Sequence, residues 1–272
     1  MRELRRPRGG EDLTGVVATA AIAPLLAEPS VRAEQVSQLV LGETAELLTR
    51  AGEWLRLRAC TDRYEGWTHA GYLRELEDAG AAAWREAAEG WSDGALLDLG
   101  GTAAFRVPLR ARLALTEHGV RLPDGRSGRI LDGRVRPLAE AQAAALALAP
   151  PEWAARHFPA APYQWGGITP WGVDCSGLTQ TTFAVRGIRL PRDAADQACA
   201  GTPVALDAIR PGDLLFFRGE DTDRVTHVAV AAAGEELVHA AIACGGVVRE
   251  PWGPGTRAAG LRARLVAVRR VA

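Results

Sequence analysis

The stretch Gly172-Val173-Asp174-Cys175-Ser176-Gly177-Leu178 decides how the rest of the chain is read. It sets one cysteine between an aspartate and a serine. A loop rich in glycine, proline and aromatics precedes it: Tyr163-Gln164-Trp165-Gly166-Gly167-Ile168-Thr169-Pro170-Trp171. Residues 178–186 read as a helix that Gly187 closes. Cys175 therefore falls on the first turn of a helix, where unpaired N–H groups and the positive end of the dipole favour a thiolate. A catalytic thiol uses that placement, whereas a structural cysteine has no need of it.

A nucleophilic thiol requires a base, and the base requires an orienting group. The chain has five histidines: His69, His118, His157, His227 and His239. Two of them follow Cys175. His227 opens the apolar run Val228-Ala229-Val230-Ala231, and His239 ends the run Glu236-Leu237-Val238. Ala233-Gly234-Glu235-Glu236 reads as a tight turn between the two. The runs are expected to pair as a hairpin, with the two imidazoles facing each other as base and orienter. Taken singly, each also reads as an ordinary strand-end histidine. The ordered set of a helix-start cysteine and two hairpin histidines favours the catalytic reading.

With these residues in place, residues 160–250 resemble the NlpC/p60 family of papain-like cysteine peptidases. The resemblance rests on YQWGG at 163–167, DCSGL at 174–178, LPRD at 190–193, RPGDLLFF at 210–217, His227 heading a strand, and His239. It covers about a third of the chain. It implies Cys175 as nucleophile, His227 as base, His239 as orienting residue, Tyr163 as a contributor to the oxyanion hole, and peptidoglycan stem peptides as substrates.

At 272 residues the chain has room for two or three small domains. The formal net charge is −1, which gives no footing for nucleic-acid binding. All 32 basic residues are arginine, a mark of genomic base composition rather than of function. Cys60, Cys175, Cys199 and Cys244 are scattered and form no CxxC, so neither a zinc site nor another cofactor is expected. Their spread also argues against a disulfide framework and fits a reducing compartment. Residues 1–8 are basic and 16–27 apolar, in imitation of a secretory signal. Glu11, Asp12 and Pro24 interrupt that pattern, and a first β-strand is the favoured reading, with cytoplasmic localisation to match. No other run approaches transmembrane length, so no membrane partner is expected; the sequence is silent on oligomeric state, and a monomer is the working assumption.

Short strands with turns run from 15 to 77, and Trp54-Leu55-Arg56-Leu57-Arg58 alternates as a half-buried strand does. The order LGE, EWLRLR, YEGWTHAGYL resembles a bacterial SH3 domain. Residues 92–138 repeat the style with strands expected at 105–109 and 112–115 and a Pro-Asp-Gly turn at 123–125, as a divergent second SH3-like barrel. Residues 81–88, with Trp84, read as a short helix or a linker. Helices are expected over 138–148 and 151–157, and a final strand over 262–268. The fold expected is α+β: a papain-like NlpC/p60 peptidase domain over 139–272, preceded by two small all-β SH3-like barrels over 1–78 and 79–138.

One group within the resembled family carries two N-terminal SH3-like domains and cuts L-Ala-γ-D-Glu-L-diamino acid peptides after the γ-linked D-Glu. Its substrate cleft is lined by the residues matching Trp165, Asp174, Ser176 and Asp193, and its first SH3 domain offers a tyrosine and a glutamate to the free amine. Tyr64 matches the tyrosine, and Glu34, or alternatively Glu43, the glutamate. The serine that commonly follows Asp193 is Ala194 here, which removes one expected substrate contact. Each of these residues has a plainer reading as well: Trp165 as a lid aromatic, Asp174 as the cap of the nucleophile helix, Tyr64 as a barrel aromatic. The resemblance thus implies an endopeptidase acting on soluble muropeptides. A secreted wall hydrolase that binds intact peptidoglycan through its SH3 domains is the alternative, and a non-enzymatic wall-binding protein a third reading.

Overall fold

The computed structural model describes residues 15–101 and 103–271. The basic segment 1–8, with Glu11 and Asp12, lies outside the described residues. The chain divides into two compact units between Glu140 and Ala141.

The first unit opens with β1 (Gly15–Ala18), β2 (Ile22–Leu26), β3 (Gln35–Val40), β4 (Thr44–Ala51), β5 (Trp54–Ala59), β6 (Glu65–His69) and β7 (Leu73–Leu76). These form one antiparallel sheet in the order β3-β2-β6-β5-β4-β1-β7. Val16, Ala18, Leu25, Leu39, Leu55 and Leu57 share its core and are fully buried. The apolar stretch 16–27 therefore supplies two strands rather than one. In β5 the alternation holds, with Leu55, Leu57 and Ala59 inside and Arg56 outside.

Residues 81–88 resolve as a helix, α1 (Asp78–Ala87), followed by β8 (Gly90–Asp98), β9 (Phe105–Thr116), β10 (Gly119–Arg121) and β11 (Ser127–Pro137), which close a four-stranded barrel. The two strands expected at 105–109 and 112–115 are one strand, bent at Arg110, whose φ is +80°. There the Arg110 Nε donates to Glu43 Oε1 at 2.7 Å, with both side chains under 5% exposed. Trp84 Nε1 donates to the Gly42 carbonyl at 2.8 Å. Gly42 is obligatory on two counts: φ is +82°, and a Cβ would lie 1.7 Å from the Arg112 carbonyl oxygen. Glu43, the alternative partner for a substrate amine, is thereby corrected. Its Oε1 is taken by Arg110 and its Oε2 accepts from the Val40 amide.

In the second unit α2 (Leu138–Leu146) and α3 (Pro150–His157) precede a two-stranded ribbon, β12 (Ile168–Thr169) and β13 (Gly172–Val173). Then come α4 (Cys175–Ala184), α5 (Ala194–Gln197), β14 (Thr202–Pro203), β15 (Leu214–Arg218), β16 (Val225–Ala232), β17 (Glu236–Ala241), β18 (Gly246–Pro251), α6 (Ala259–Arg262) and β19 (Leu265–Arg270). The sheet is antiparallel in the order β14-β19-β15-β16-β17-β18. The apolar run Leu214-Leu215-Phe216-Phe217 reflects burial on both faces. Leu214 and Phe216 pack with Phe183, Val228 and Val230, while Leu215 and Phe217 pack with Trp252, Leu261 and Val268. The last strand starts later than expected because 259–262 forms a helical turn. Ala232 pairs with Glu236, so three residues, 233–235, link β16 to β17, and two of them, Gly234 and Glu235, have positive φ, 75° and 58°. No helix of the described residues is long and apolar enough to cross a membrane.

Candidate active site

Every residue of α4 from Cys175 to Phe183 is buried. Its polar side chains are tolerated because each has a partner. Thr181 Oγ1 donates to the Ile168 carbonyl at 2.8 Å, Thr182 Oγ1 to the Leu178 carbonyl at 2.7 Å, and Gln180 Nε2 to the Leu190 carbonyl at 3.2 Å. Asp174 caps the helix, its Oδ1 accepting from the Gly177 amide at 2.7 Å. Gly177 is fixed by close approach, since a Cβ there would lie 2.1 Å from the Gly167 carbonyl oxygen. The first turn of α4 thus packs directly on the Tyr163–Gly167 loop.

The carboxylate of Asp174 does more than cap. Its Oδ2 accepts from the Gly166 amide at 2.8 Å and from Arg192 at 2.5 Å, and its Oδ1 accepts from Arg192 at 3.1 Å and from Ser176 Oγ at 3.3 Å. With Gly177 included, five donors meet a group that has about four lone-pair directions. The Arg192 and Asp174 side chains are 1% and 6% exposed. Its acceptors tie together the loop, the helix start and the 190–193 segment, so the carboxylate organises this junction as well as capping the helix. Ser176 Oγ, at the same junction, accepts from Arg192 at 2.7 Å.

The backbone N–H groups of Ser176 and Val228 lie close enough to the Cys175 sulfur to favour its ionised form, so the thiol faces β16 at the residue after His227. On the hairpin, His227 Nε2 and His239 Nδ1 share a hydrogen bond of 2.8 Å, their rings edge-to-face with centroids 5.0 Å apart. Burial dominates the protonation of all three groups. It pushes the thiol up to about 12, with the Asp174 charge adding to the rise. It takes His227 down to about 3, helped by the charges of His239 and Arg264, and His239 down to about 4, helped by Arg257. The helix start is where the sequence puts it, but burial of the sulfur and of both imidazoles disfavours their charged forms and so works against the dipole.

Tyr163 is half-buried, and its phenol is pushed up to about 12, first by burial and then by the neighbouring Cys175 and Asp174 charges. It is therefore a hydroxyl donor at neutral pH. Trp165 is 57% exposed. Asp193 is exposed at the N-cap position of α5, and Ala194, where the serine was expected, is packed in the core beside Cys175. Tyr64, half-buried between β5 and β6, and Glu34, exposed just ahead of β3, belong to the first unit.

Residues 160–260 match the NlpC/P60 family. The chain carries an NlpC/P60 domain. Residues 25–70 match the bacterial dipeptidyl-peptidase Sh3 domain. Over 79 residues the chain is 46% identical to the gamma-D-glutamyl-L-lysine dipeptidyl-peptidase of Bacillus subtilis, covering 29% of this chain and 27% of that protein. Over 85 residues it is 38% identical to the probable endopeptidase NlpC of Escherichia coli, covering 31% of this chain and 55% of that one. The chain thus spans between about a quarter and about half the length of these relatives. Among solved structures, an NlpC/P60 family protein from Bacillus cereus superposes with a TM-score of 0.76 over 95% of this chain and 99% of its own, at 20% identity, which is a likeness of fold.

Three residues of the NlpC/P60 domain went unread in the sequence. Arg192 stands in LPRD, where nothing local marks it as the partner of Asp174. Glu250 and Arg257 gave no signal, being ordinary charged residues of a strand and a loop. His239 Nε2 lies 2.8 Å from Glu250 Oε1, and Arg257 donates to both oxygens of that carboxylate, Nε to Oε2 at 2.9 Å. Ligand atoms of His239, Cys244 and Glu250 lie within 4.8 Å of one another. They do not fit a metal as arranged, because the Arg257 guanidinium donates to Cys244 Sγ as well as to Glu250 and already supplies the cation.

Proposed function

We propose that the NlpC/P60 domain is a cysteine endopeptidase that cuts the γ-D-Glu–L-diamino acid bond of peptidoglycan-derived stem peptides. The observation that carries this reading is the 2.8 Å His227–His239 hydrogen bond, with the residue after His227 lying against the Cys175 thiol. With Nε2 engaged by His239, the His227 nitrogen left for the thiol is Nδ1. On substrate binding the Cys175 proton passes to Nδ1 as sulfur attacks the γ-carbonyl carbon, and the carbonyl oxygen takes up the negative charge. The Tyr163 hydroxyl donates to that oxygen. Collapse breaks the C–N bond, the leaving amine of the diamino acid takes the proton from His227, and the D-Glu carbonyl remains on sulfur as a thioester. Water, deprotonated by His227, then releases the thioester and restores the thiol.

Burial that disfavours a charged thiol suits this order of events, since proton transfer and attack are coupled. Trp165, Ser176 and Asp193 are assigned to the substrate cleft. Recognition of a free L-Ala ammonium is assigned to Tyr64 and Glu34, by charge-assisted hydrogen bonds, and the β8–β11 barrel is read as a second, divergent SH3-like domain. The place of action is the cytoplasm, on soluble wall fragments. The B. subtilis relative's name supports the bond, and the Sh3 match over 25–70 supports an SH3-like domain ahead of the peptidase. Mass spectrometry of products from tri- and tetrapeptides, free and N-acetylated at L-Ala, tests the reading. Free peptides should be cut between D-Glu and the diamino acid, acetylated ones about 10- to 100-fold more slowly, and neither by Cys175→Ala. Cleavage by pure Cys175→Ala protein sinks the mechanism; equal cleavage of both peptides, or digestion of intact sacculi, sinks the substrate assignment.

A further inference from the structure

Beyond the cysteine and the two histidines, the site continues. His239 is 3% exposed, and each of its ring nitrogens lies 2.8 Å from one partner, Nδ1 from His227 and Nε2 from Glu250. Glu250 sits on β18 opposite Leu237, two positions along from the partner of His239, and its side chain is 13% exposed. A carboxylate in a salt bridge with Arg257 only accepts hydrogen bonds.

We propose that Glu250 is a positioning residue of the peptidase, fixing the tautomers of both imidazoles from the far end of the chain of hydrogen bonds. The inference rests on the catalytic reading of Cys175, His227 and His239. A neutral imidazole has one N–H. Because Glu250 accepts, that hydrogen of His239 sits on Nε2, and His239 Nδ1 is left as an acceptor. His227 must then place its own hydrogen on Nε2 to donate to it. The lone pair of His227 falls on Nδ1, the atom required to take the Cys175 proton. A donor in place of Glu250 would reverse every step and leave His227 with a hydrogen where its lone pair is needed. The carboxylate also faces, through one ring, the imidazolium that forms during attack. Arg257 holds it by a two-point fork, which fixes its direction.

The experiment uses the full chain. Nitrogen-15 NMR of the imidazoles should show Nε2–H on both His227 and His239 in the resting wild type. Glu250→Leu should lower kcat by about 10- to 100-fold with KM within about twofold, and should abolish the single His239 tautomer while circular dichroism stays native. Glu250→Gln keeps an oxygen for His239 and should recover most of the lost turnover and the wild-type tautomers. A wild-type spectrum with Nδ1–H on His239, wild-type turnover by Glu250→Leu, or equal losses in the Gln and Leu variants overturns the assignment. If instead the parent reading is at fault, Cys175→Ala retains turnover whatever the spectra show.

Discussion

Replacing Asp174 by alanine tests whether this carboxylate is structural or meets the substrate. The change removes the cap of α4, typically about 1 kcal/mol, and takes from the guanidinium of Arg192, 1% exposed, the carboxylate it forks onto. Breaking a buried pair from one side costs about 3–5 kcal/mol. The two terms share one carboxylate and do not add, so about 3–5 kcal/mol is the expected total, a large part of a domain's roughly 5–15 kcal/mol. Differential scanning calorimetry and urea titration of the full chain read it out as a lowered transition of the second unit. Arg192→Met should be destabilising too, and the double variant less so than the sum, by about 1–3 kcal/mol of coupling. Activity should fall in parallel with the folded fraction. A stability change under about 1 kcal/mol in Asp174→Ala, together with a raised KM, would refute the reasoning and return the carboxylate to the substrate.

Trp165→Ala should leave stability within about 0.5 kcal/mol, since the side chain is 57% exposed, and raise KM for stem peptides; a fall in unfolding temperature with KM unchanged would mark Trp165 as a packing residue. Gly177→Ala should lose both folding yield and turnover, because its Cβ meets the Gly167 carbonyl at 2.1 Å; ordinary expression and activity would contradict the close approach. His227 and His239 titrate near 3 and 4 in the folded protein against about 6.5 unfolded. Between those values the unfolded chain binds more protons, so stability falls as pH drops from about 6.5 toward 4. His239→Gln should flatten that slope in urea titrations at pH 7 and 5, and an unchanged slope would count against the burial argument.

The sequence announced the parts of the site that local chemistry dictates. Asp174 and Gly177 around Cys175 spell a capped helix start, and Gly234 marks a short turn, which brings His227 and His239 onto one hairpin. What it withheld depends on distant residues. That the capping carboxylate of Asp174 also holds Arg192, 18 positions away, has no local signal. A helix-start cysteine looks like a thiolate until the surrounding core is counted, because burial is a property of the whole fold. Glu250 reaches His239 only through the pairing of β17 with β18. The bend at Arg110, which merges two expected strands into one, answers to Glu43, 67 positions upstream.

Cys175 and the two imidazoles are each backed by a carboxylate–arginine fork, end-on through both Nη atoms of Arg192 and side-on through Nε and Nη2 of Arg257. Behind the thiol, Arg192 forks onto the two oxygens of Asp174; behind the imidazoles, Arg257 forks onto the two oxygens of Glu250. A two-point fork fixes direction as well as distance, which a single ammonium contact does not. Near the thiol the pairing has a second use. Asp174 alone would push the sulfur further from ionisation, and Arg192 acts against that push, so the cap is kept with its electrostatic effect partly offset. The two braces differ in burial, since Arg192 is 1% and Arg257 49% exposed. Solvent screens the outer pair, which leaves Glu250 to act through the direction of one hydrogen bond, while the inner pair is bound up with whether α4 starts where it does.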